Sequence, residues 1–300
     1  MLSQKSTQQK AYFALAWVSI FWGTTWLASK AGVEHMPALQ LIGLRQFIAG
    51  VSFVLFFVLR KHPLPKGKQW RSILVLSVLN FMISNGFVIW GVKYISSGLG
   101  AIIGAIFPLW LVIINMFRGN KLPSKAVAGM VIGFAGICII FYDHLKDFLN
   151  AGFRFGIFLS LTASVTWAFA ALYTQKHKNT FNPYYSLGIQ MIISGLVFLF
   201  CAYGSGDVVG IMHIPAVSWW SIIYLVIVGS ALTFVAYVYA LQHLPASLAS
   251  IYAYINPIVA FILGAAILHE KINFYIIVGG LVTILGVFLV NNSLRRKLNN

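Results

Sequence analysis

The sequence predicts an all-α integral membrane protein with ten transmembrane helices arranged as two inverted five-helix repeats. Three observations carry this expectation. The 300 residues are 60% hydrophobic and only 9% charged, where a soluble domain carries roughly 25% charged residues. Apolar runs recur at the length a helix needs to cross a bilayer, about 20 residues. The two halves of the chain also match each other. The composition excludes a cytosolic enzyme, a disordered scaffold and a secreted disulfide framework, because a soluble chain of this length needs far more polar surface around its core. A membrane β-barrel is excluded as well: the runs are continuously apolar, whereas barrel strands alternate with period two over about ten residues.

Charges, prolines and glycine clusters cut the chain into segments 11–31, 38–59, 71–91, 96–117, 122–142, 154–174, 183–203, 217–240, 246–268 and 272–292. The first follows Lys5 and Lys10, as a signal peptide would. It is too long for one, lacks a small-residue cleavage site and carries Trp22 and Trp26, so it reads as a retained helix. Trp22, Thr25, Trp26 and Ser29 share one face of it. The second segment contains Arg45, the one strong charge well inside a span, at a cost of about 2.5 to 3.5 kcal/mol on insertion scales. Two readings stay open for Arg45: snorkelling to the nearer interface, or contact with an anion such as a substrate carboxylate.

Asn80 and Ser84 stripe the third segment, as Ser230, Thr233 and Tyr237 stripe the eighth. Both stripes must avoid lipid, facing other helices or water. The fourth holds Gly100, Gly104 and Pro108, and the fifth Gly129 and Gly133; the G-x-x-x-G spacing serves close packing within the chain or a dimer face. Trp167 heads the polar face of the sixth, with Ser160, Ser164 and Thr174. Trp22 and Trp167 line a cavity or serve as packing and interface aromatics. In the ninth, Tyr252 and Asn256 share a face before Pro257, and Pro108 and Pro257 mark two related kinks suited to hinges. Cys138 and Cys201 lie in apolar runs and read as small core residues, leaving neither a cross-linked framework nor a metal site.

The formal charge of +16 arises from 21 Lys and Arg against five acids. No basic stripe with interleaved aromatics exists outside the apolar runs, so no nucleic acid is expected as a partner. The bases instead crowd into the gaps and the segment ends: fifteen fall on one side and five on the other, with Arg45 alone well inside a span. That bias places both termini in the cytoplasm and the chain in a plasma membrane, a bacterial inner membrane by expectation.

Self-comparison sets the repeat. At an offset of 145, Ser19, Trp22, Gly43, Gly50 and Phe53 meet Ser164, Trp167, Gly188, Gly195 and Phe198. At 149, Trp70, Leu99, Ile106 and Pro108 meet Trp219, Leu248, Ile255 and Pro257; at 150, Lys121, Gly129 and Gly136 meet Lys271, Gly279 and Gly286. Two units follow, residues 1–148 and 149–300. Five helices is an odd number, so the second unit enters the membrane from the opposite face.

These residues resemble the EamA branch of the drug/metabolite transporter superfamily, over nearly the whole chain. The resemblance rests on Phe21-Trp22-Gly23, on Arg45, on the run from Ser97 through Pro108 to Gly136, and on Leu244-Pro245-Ala246-Ser247-Leu248-Ala249, Asn256-Pro257, His269-Glu270-Lys271 and Gly279-Gly280 to Gly286-Val287. It implies a ten-helix carrier of small molecules. One departure is that the family places an acid before the last helix of each repeat, and the first copy has Asn120 where the second has Glu270.

The functional expectation is an exporter of small neutral or zwitterionic metabolites such as amino acids, working by alternating access between the repeats. Trp22, Trp26, Arg45, Asn80, Ser84, Trp167, Tyr237, Tyr252 and Asn256 are the candidate substrate contacts. No carboxylate sits mid-membrane, which leaves Glu270, beside a helix end, as the one candidate for proton coupling. No catalytic residue, cofactor or metal is expected; the partners are a small-molecule substrate and the lipid bilayer, and the protein is a monomer or homodimer. The competing class, an integral-membrane enzyme acting on a lipid-linked substrate, needs clustered His, Asp, Glu or Cys at a membrane face, and such a cluster is missing.

Overall fold

The computed structural model describes residues 2–117, 119, 123–143, 145–177, 181–244, 252–271 and 273–299. The spans are α1 (Leu2–Val33), α2 (Ala38–Leu59), α3 (Lys68–Gly91), α4 (Ser97–Ala105, resuming as Phe107–Phe117), α5 (Ser124–Asp143), α6 (Ala151–His177), α7 (Pro183–Ser205), α8 (Ala216–His243), α9 (Tyr252–Ile267) and α10 (Phe274–Asn299). Among the described residues nine of these are long and apolar enough to cross a membrane, and α9 is a shorter apolar helix. The start of the ninth segment, residues 245–251, lies outside the described residues. Helices α1 and α10 overrun their expected segments at the polar ends. A helix satisfies its own backbone hydrogen bonds, so nothing forces it to stop where the hydrocarbon does.

Local sequence accounts for several boundaries. Asn182 caps α7 by accepting from the Tyr184 and Tyr185 amides, both at 3.0 Å, and Pro183 occupies the first turn where no donor is needed. Gly206 ends the same helix at φ 71°, a left-handed conformation that costs glycine little. In α4 the helix breaks at Ile106 and restarts with Pro108 in its first turn. By contrast α9 runs unbroken through Pro257, so the two prolines expected to make matching kinks behave differently. Pro257 is the sixth described residue of its helix and, lacking an N–H, leaves the Ala253 carbonyl without its usual intrahelical donor.

The inverted repeat appears in the packing. Helix α2 crosses α7 and α5 crosses α10, each helix meeting its own repeat mate, while α1 packs on α8 and α9 as α6 packs on α3 and α4. Glycines permit both crossings. A Cβ on Gly50 would fall 2.6 Å from the Ile192 backbone nitrogen, and one on Gly195 would fall 2.6 Å from that of Phe47, the mate of Ile192. Gly129 faces the Gly286 carbonyl and the Val290 nitrogen as Gly279 faces the Gly136 carbonyl and the Ile140 nitrogen. Each contact therefore occurs twice, once in each direction across the axis. The Gly129 and Gly133 pair is consumed by this crossing, and Gly100 and Gly104 seat the Trp26 indole.

Both α3 and α8 contain π-helical turns, at Ser77–Asn85 and Leu225–Leu232, positions related by the repeat. Widened turns of this kind release carbonyls for other partners and frequently mark functional sites. The Gln46 amide donates to Phe81 O at 3.1 Å, and the Trp22 indole to Gly229 O at 3.4 Å.

Lipid-facing side chains include Phe13, Phe200 and Trp220. Cys138 and Cys201 are also exposed on this outer surface, correcting their reading as core residues. Lipid is as apolar as a core, so an apolar run alone does not tell inside from outside.

Candidate functional site

The centre of the bundle is an aromatic layer. Trp22 from α1 contacts Trp167 of α6, Phe234 and Tyr237 of α8, and Tyr252 of α9, with ring centroids 5.9, 5.1, 4.8 and 5.2 Å away. The Trp167 indole donates to the Tyr252 hydroxyl at 3.0 Å. Edge-on arrangements dominate, the geometry in which ring quadrupoles attract. The layer divides the interior into two cavities, with Trp167 and Phe234 facing both.

Cavity 1, about 120 Å³, lies among α1, α2, α3, α4, α6, α8 and α9. Trp22, Trp26, Arg45, Ser84, Trp167, Tyr252 and Asn256 line it, together with Thr25, Ser29, Asn85 and Ser164. Arg45 is 4% exposed. Its Nη1 donates to Asn85 Oδ1 at 2.7 Å and its Nη2 to Ser230 Oγ at 3.4 Å, so the guanidinium points into the bundle and does not snorkel. With the Asn256 amide oriented to satisfy its neighbours, its nitrogen donates to the backbone carbonyls of Tyr252 and Ser19, at 3.2 and 2.7 Å, across the α9–α1 contact beside Pro257.

Cavity 2 is larger, about 630 Å³. It runs from the aromatic layer to the ends of α3, α6, α7 and α8, on the membrane face that topology assigns to both termini, past Ser72, His177, Pro183 and Gln242. Asn80, Tyr237, Ser186 and Gln190 provide its polar wall. The Asn80 amide donates to Gln190 Oε1 at 3.2 Å, and Gln190 Nε2 to Ser186 Oγ at 2.8 Å.

The two cavities are repeat mates. Trp22, Trp26, Ser29 and Arg45 in cavity 1 correspond at an offset of 145 to Trp167, Ala171, Thr174 and Gln190 in cavity 2; Asn85, Val88 and Ile89 correspond at 149 to Phe234, Tyr237 and Val238. One ancestral surface therefore faces each side of the aromatic layer.

Glu270 stands apart from both. Its carboxylate accepts from the Ser97 amide and hydroxyl, each at 2.8 Å, and from the Gly98 amide at 3.4 Å, holding the N-terminus of α4. A carboxylate there is stabilised by the helix dipole. Its counterpart Asn120 lies outside the described residues. Among the described residues no group of three His, Cys, Asp or Glu could hold a metal ion.

Sequence reasoning missed Asn85 and Phe234. The signal was present, since Asn85 adjoins Ser84 in an apolar run and meets Phe234 in the repeat alignment.

The profile of the EamA-like transporter family matches this chain twice, over residues 9–142 and 154–292. The chain belongs to that family. Among its relatives, the protein named Uncharacterized transporter YoaV of Bacillus subtilis (strain 168) is 26% identical over 96% of this chain and 99% of its own length. The Uncharacterized inner membrane transporter YedA of Escherichia coli (strain K12) is 29% identical over 88% of this chain and 83% of its own. A protein known from a crystal structure shares the fold, with TM-score 0.65 at 15% identity over 98% of this chain and 99% of that one. This EamA-like chain is thus a multi-pass membrane protein of a transporter family, built as two inverted repeats of five helices.

Proposed function

We propose that the protein exports small neutral or zwitterionic metabolites, amino acids among them, by alternating access between units 1–148 and 149–300. The observation that supports this best is the pair of repeat-related cavities meeting at one aromatic layer. If the repeats exchange conformations, cavity 1 opens as cavity 2 closes, and a solute held at Trp22 and Trp167 changes sides without a continuous pore. The charge bias of the gaps makes the face reached by cavity 2 cytoplasmic, in a bacterial inner membrane, which gives the loading side of an exporter. Polar groups that hold a zwitterion occur with the aromatic wall in cavity 1, and nowhere does the wall present an acid for an organic cation.

The test is counterflow in liposomes. Protein loaded with a mixed amino-acid pool is expected to drive uptake of labelled members without an imposed pH gradient. Turnover of a lipid substrate with no solute movement would replace the carrier by the membrane enzyme.

A further inference from the structure

Arg45 carries a full charge in a place built to need a counter-ion. It sits seven residues into α2, about 10 Å along the helix from its start at 1.5 Å per residue. Its two protein partners, Asn85 and Ser230, are neutral. Among the described residues no carboxylate stands against it, and its Nε has no hydrogen-bond partner. The Ser164 hydroxyl, which lines the same cavity and is 3% exposed, is equally without a partner. A buried guanidinium held only by neutral groups, with a donor to spare, is costly to maintain. A bound anion offsets that cost, since the guanidinium is a planar fork of donors that matches a carboxylate.

We infer that Arg45, with Ser164 of the same lining, forms an obligate carboxylate subsite in cavity 1, so that the molecules carried each present one carboxylate, as a zwitterionic amino acid does. This inference rests on the carrier reading above and narrows its substrate class to members with a free carboxyl group. One cation in a cavity of about 120 Å³ neutralises one negative charge. A second carboxylate or a phosphate would meet only amides, hydroxyls and indoles. The rest of the solute faces Trp22, Trp167 and Tyr252, which accept an apolar body or, for an amino acid, the ammonium against a ring face. The repeat mate of Arg45 is Gln190, whose amide is already engaged by Asn80 and Ser186. Cavity 2 therefore admits solutes without selecting charge, and selection happens at cavity 1.

Equilibrium binding to the purified full chain in lipid nanodiscs separates the two claims. The probes are acetate, isovalerate, L-alanine, L-leucine and L-tryptophan, each against its amide, read by tryptophan fluorescence and by thermal shift, with sodium chloride as a further arm. At least one acid is expected to bind ten-fold or more tighter than its amide. Arg45→Gln should abolish that preference, and Arg45→Lys should keep part of it. Should Arg45→Gln fail to fold, Ser164→Ala is the second variant, expected to weaken the acid several-fold and leave the amide unchanged. The proposal is overturned if no acid in the panel binds, if acids and amides bind alike, if Arg45→Gln or Ser164→Ala leaves the preference intact, or if chloride alone saturates the site and blocks every acid. Binding of acids with no flux in liposomes would remove the carrier reading and leave the subsite, whereas equal flux of acids and amides would do the reverse.

Discussion

Cavities 1 and 2 occupy equivalent places in two copies of one unit, yet they enclose about 120 and 630 Å³. Two of the three exchanges in the lining, at Trp26 and Arg45, put the smaller side chain on the wider side, and the third, at Asn85, changes polarity against that trend. Where α1 places Trp26, whose indole fills the notch over Gly100 and Gly104, α6 places Ala171 and leaves space. Where α2 places Arg45, α7 places Gln190; where α3 places Asn85, α8 places Phe234. The glycine crossings on either side are unchanged between the copies. Duplication has thus kept the glycine crossings and let the lining diverge, so that one side is charged and tight and the other wide and without a Lys, Arg, Asp or Glu in its lining.

The scaffold should break symmetrically. Gly50→Leu and Gly195→Leu each force a side chain into the backbone of the crossing helix, and both are expected to abolish folded protein, as judged by a monodisperse peak after solubilisation. Survival of one but not the other would mean that the crossing is no symmetric axis. The linings, in contrast, should break unequally. Arg45→Gln is expected to lower flux of the transported solute roughly ten- to a hundred-fold, the range of a lost charge-assisted hydrogen bond, and Gln190→Ala only a few-fold, in parallel counterflow assays. Equal losses would erase the functional difference between the cavities.

Smaller effects sharpen the same contrast. Ala171→Trp copies the Trp26 side chain into the wider cavity, which has room for it, and should slow flux several-fold with little change in melting temperature. Trp26→Ala empties a packed notch and should lower the melting temperature by less than the loss of a fully buried indole, because Trp26 is only partly buried. The smallest effect belongs to Glu270→Gln. Losing the charge at the α4 terminus should cost about 1 kcal/mol with transport retained, because Glu270 touches neither cavity. A pH-dependent transport that disappears in this variant would instead assign it to coupling.

Much of this architecture was legible in the sequence, for stated physical reasons. Bilayer thickness fixes the run length, so the ten segments stand out, and Trp, Gly and Pro are scarce enough for Trp22 with Trp167 and Gly50 with Gly195 to betray the repeat. The burial of Ser84 and Ser230, and the place of Asn80 on a cavity wall, followed from the cost of unpaired polar groups in lipid. Four features were not legible. The π turns in α3 and α8 lie against α6 and α1 respectively, and no local sequence pattern encodes them. The break at Ile106 has no counterpart in the described residues from Tyr252 to Pro257, although the two prolines align in the repeat. Cys138 and Cys201 face outward because an all-apolar helix has no sequence-marked inner side. Glu270 reads as a lone acid until α4 is brought against it in space.

The central claim is that the two cavities open in alternation. With Cys138 and Cys201 replaced by Ala, Ser29→Cys and Thr174→Cys report on mate positions in cavities 1 and 2. Each is probed with a membrane-impermeant maleimide from both faces of the bilayer, with and without transported solute. The account predicts that Thr174→Cys reacts quickly and only from the face of the termini, that Ser29→Cys reacts slowly and only from the opposite face, and that solute raises one rate as it lowers the other. Simultaneous labelling of both sites on single molecules, or two rates that solute moves in the same direction, would contradict it.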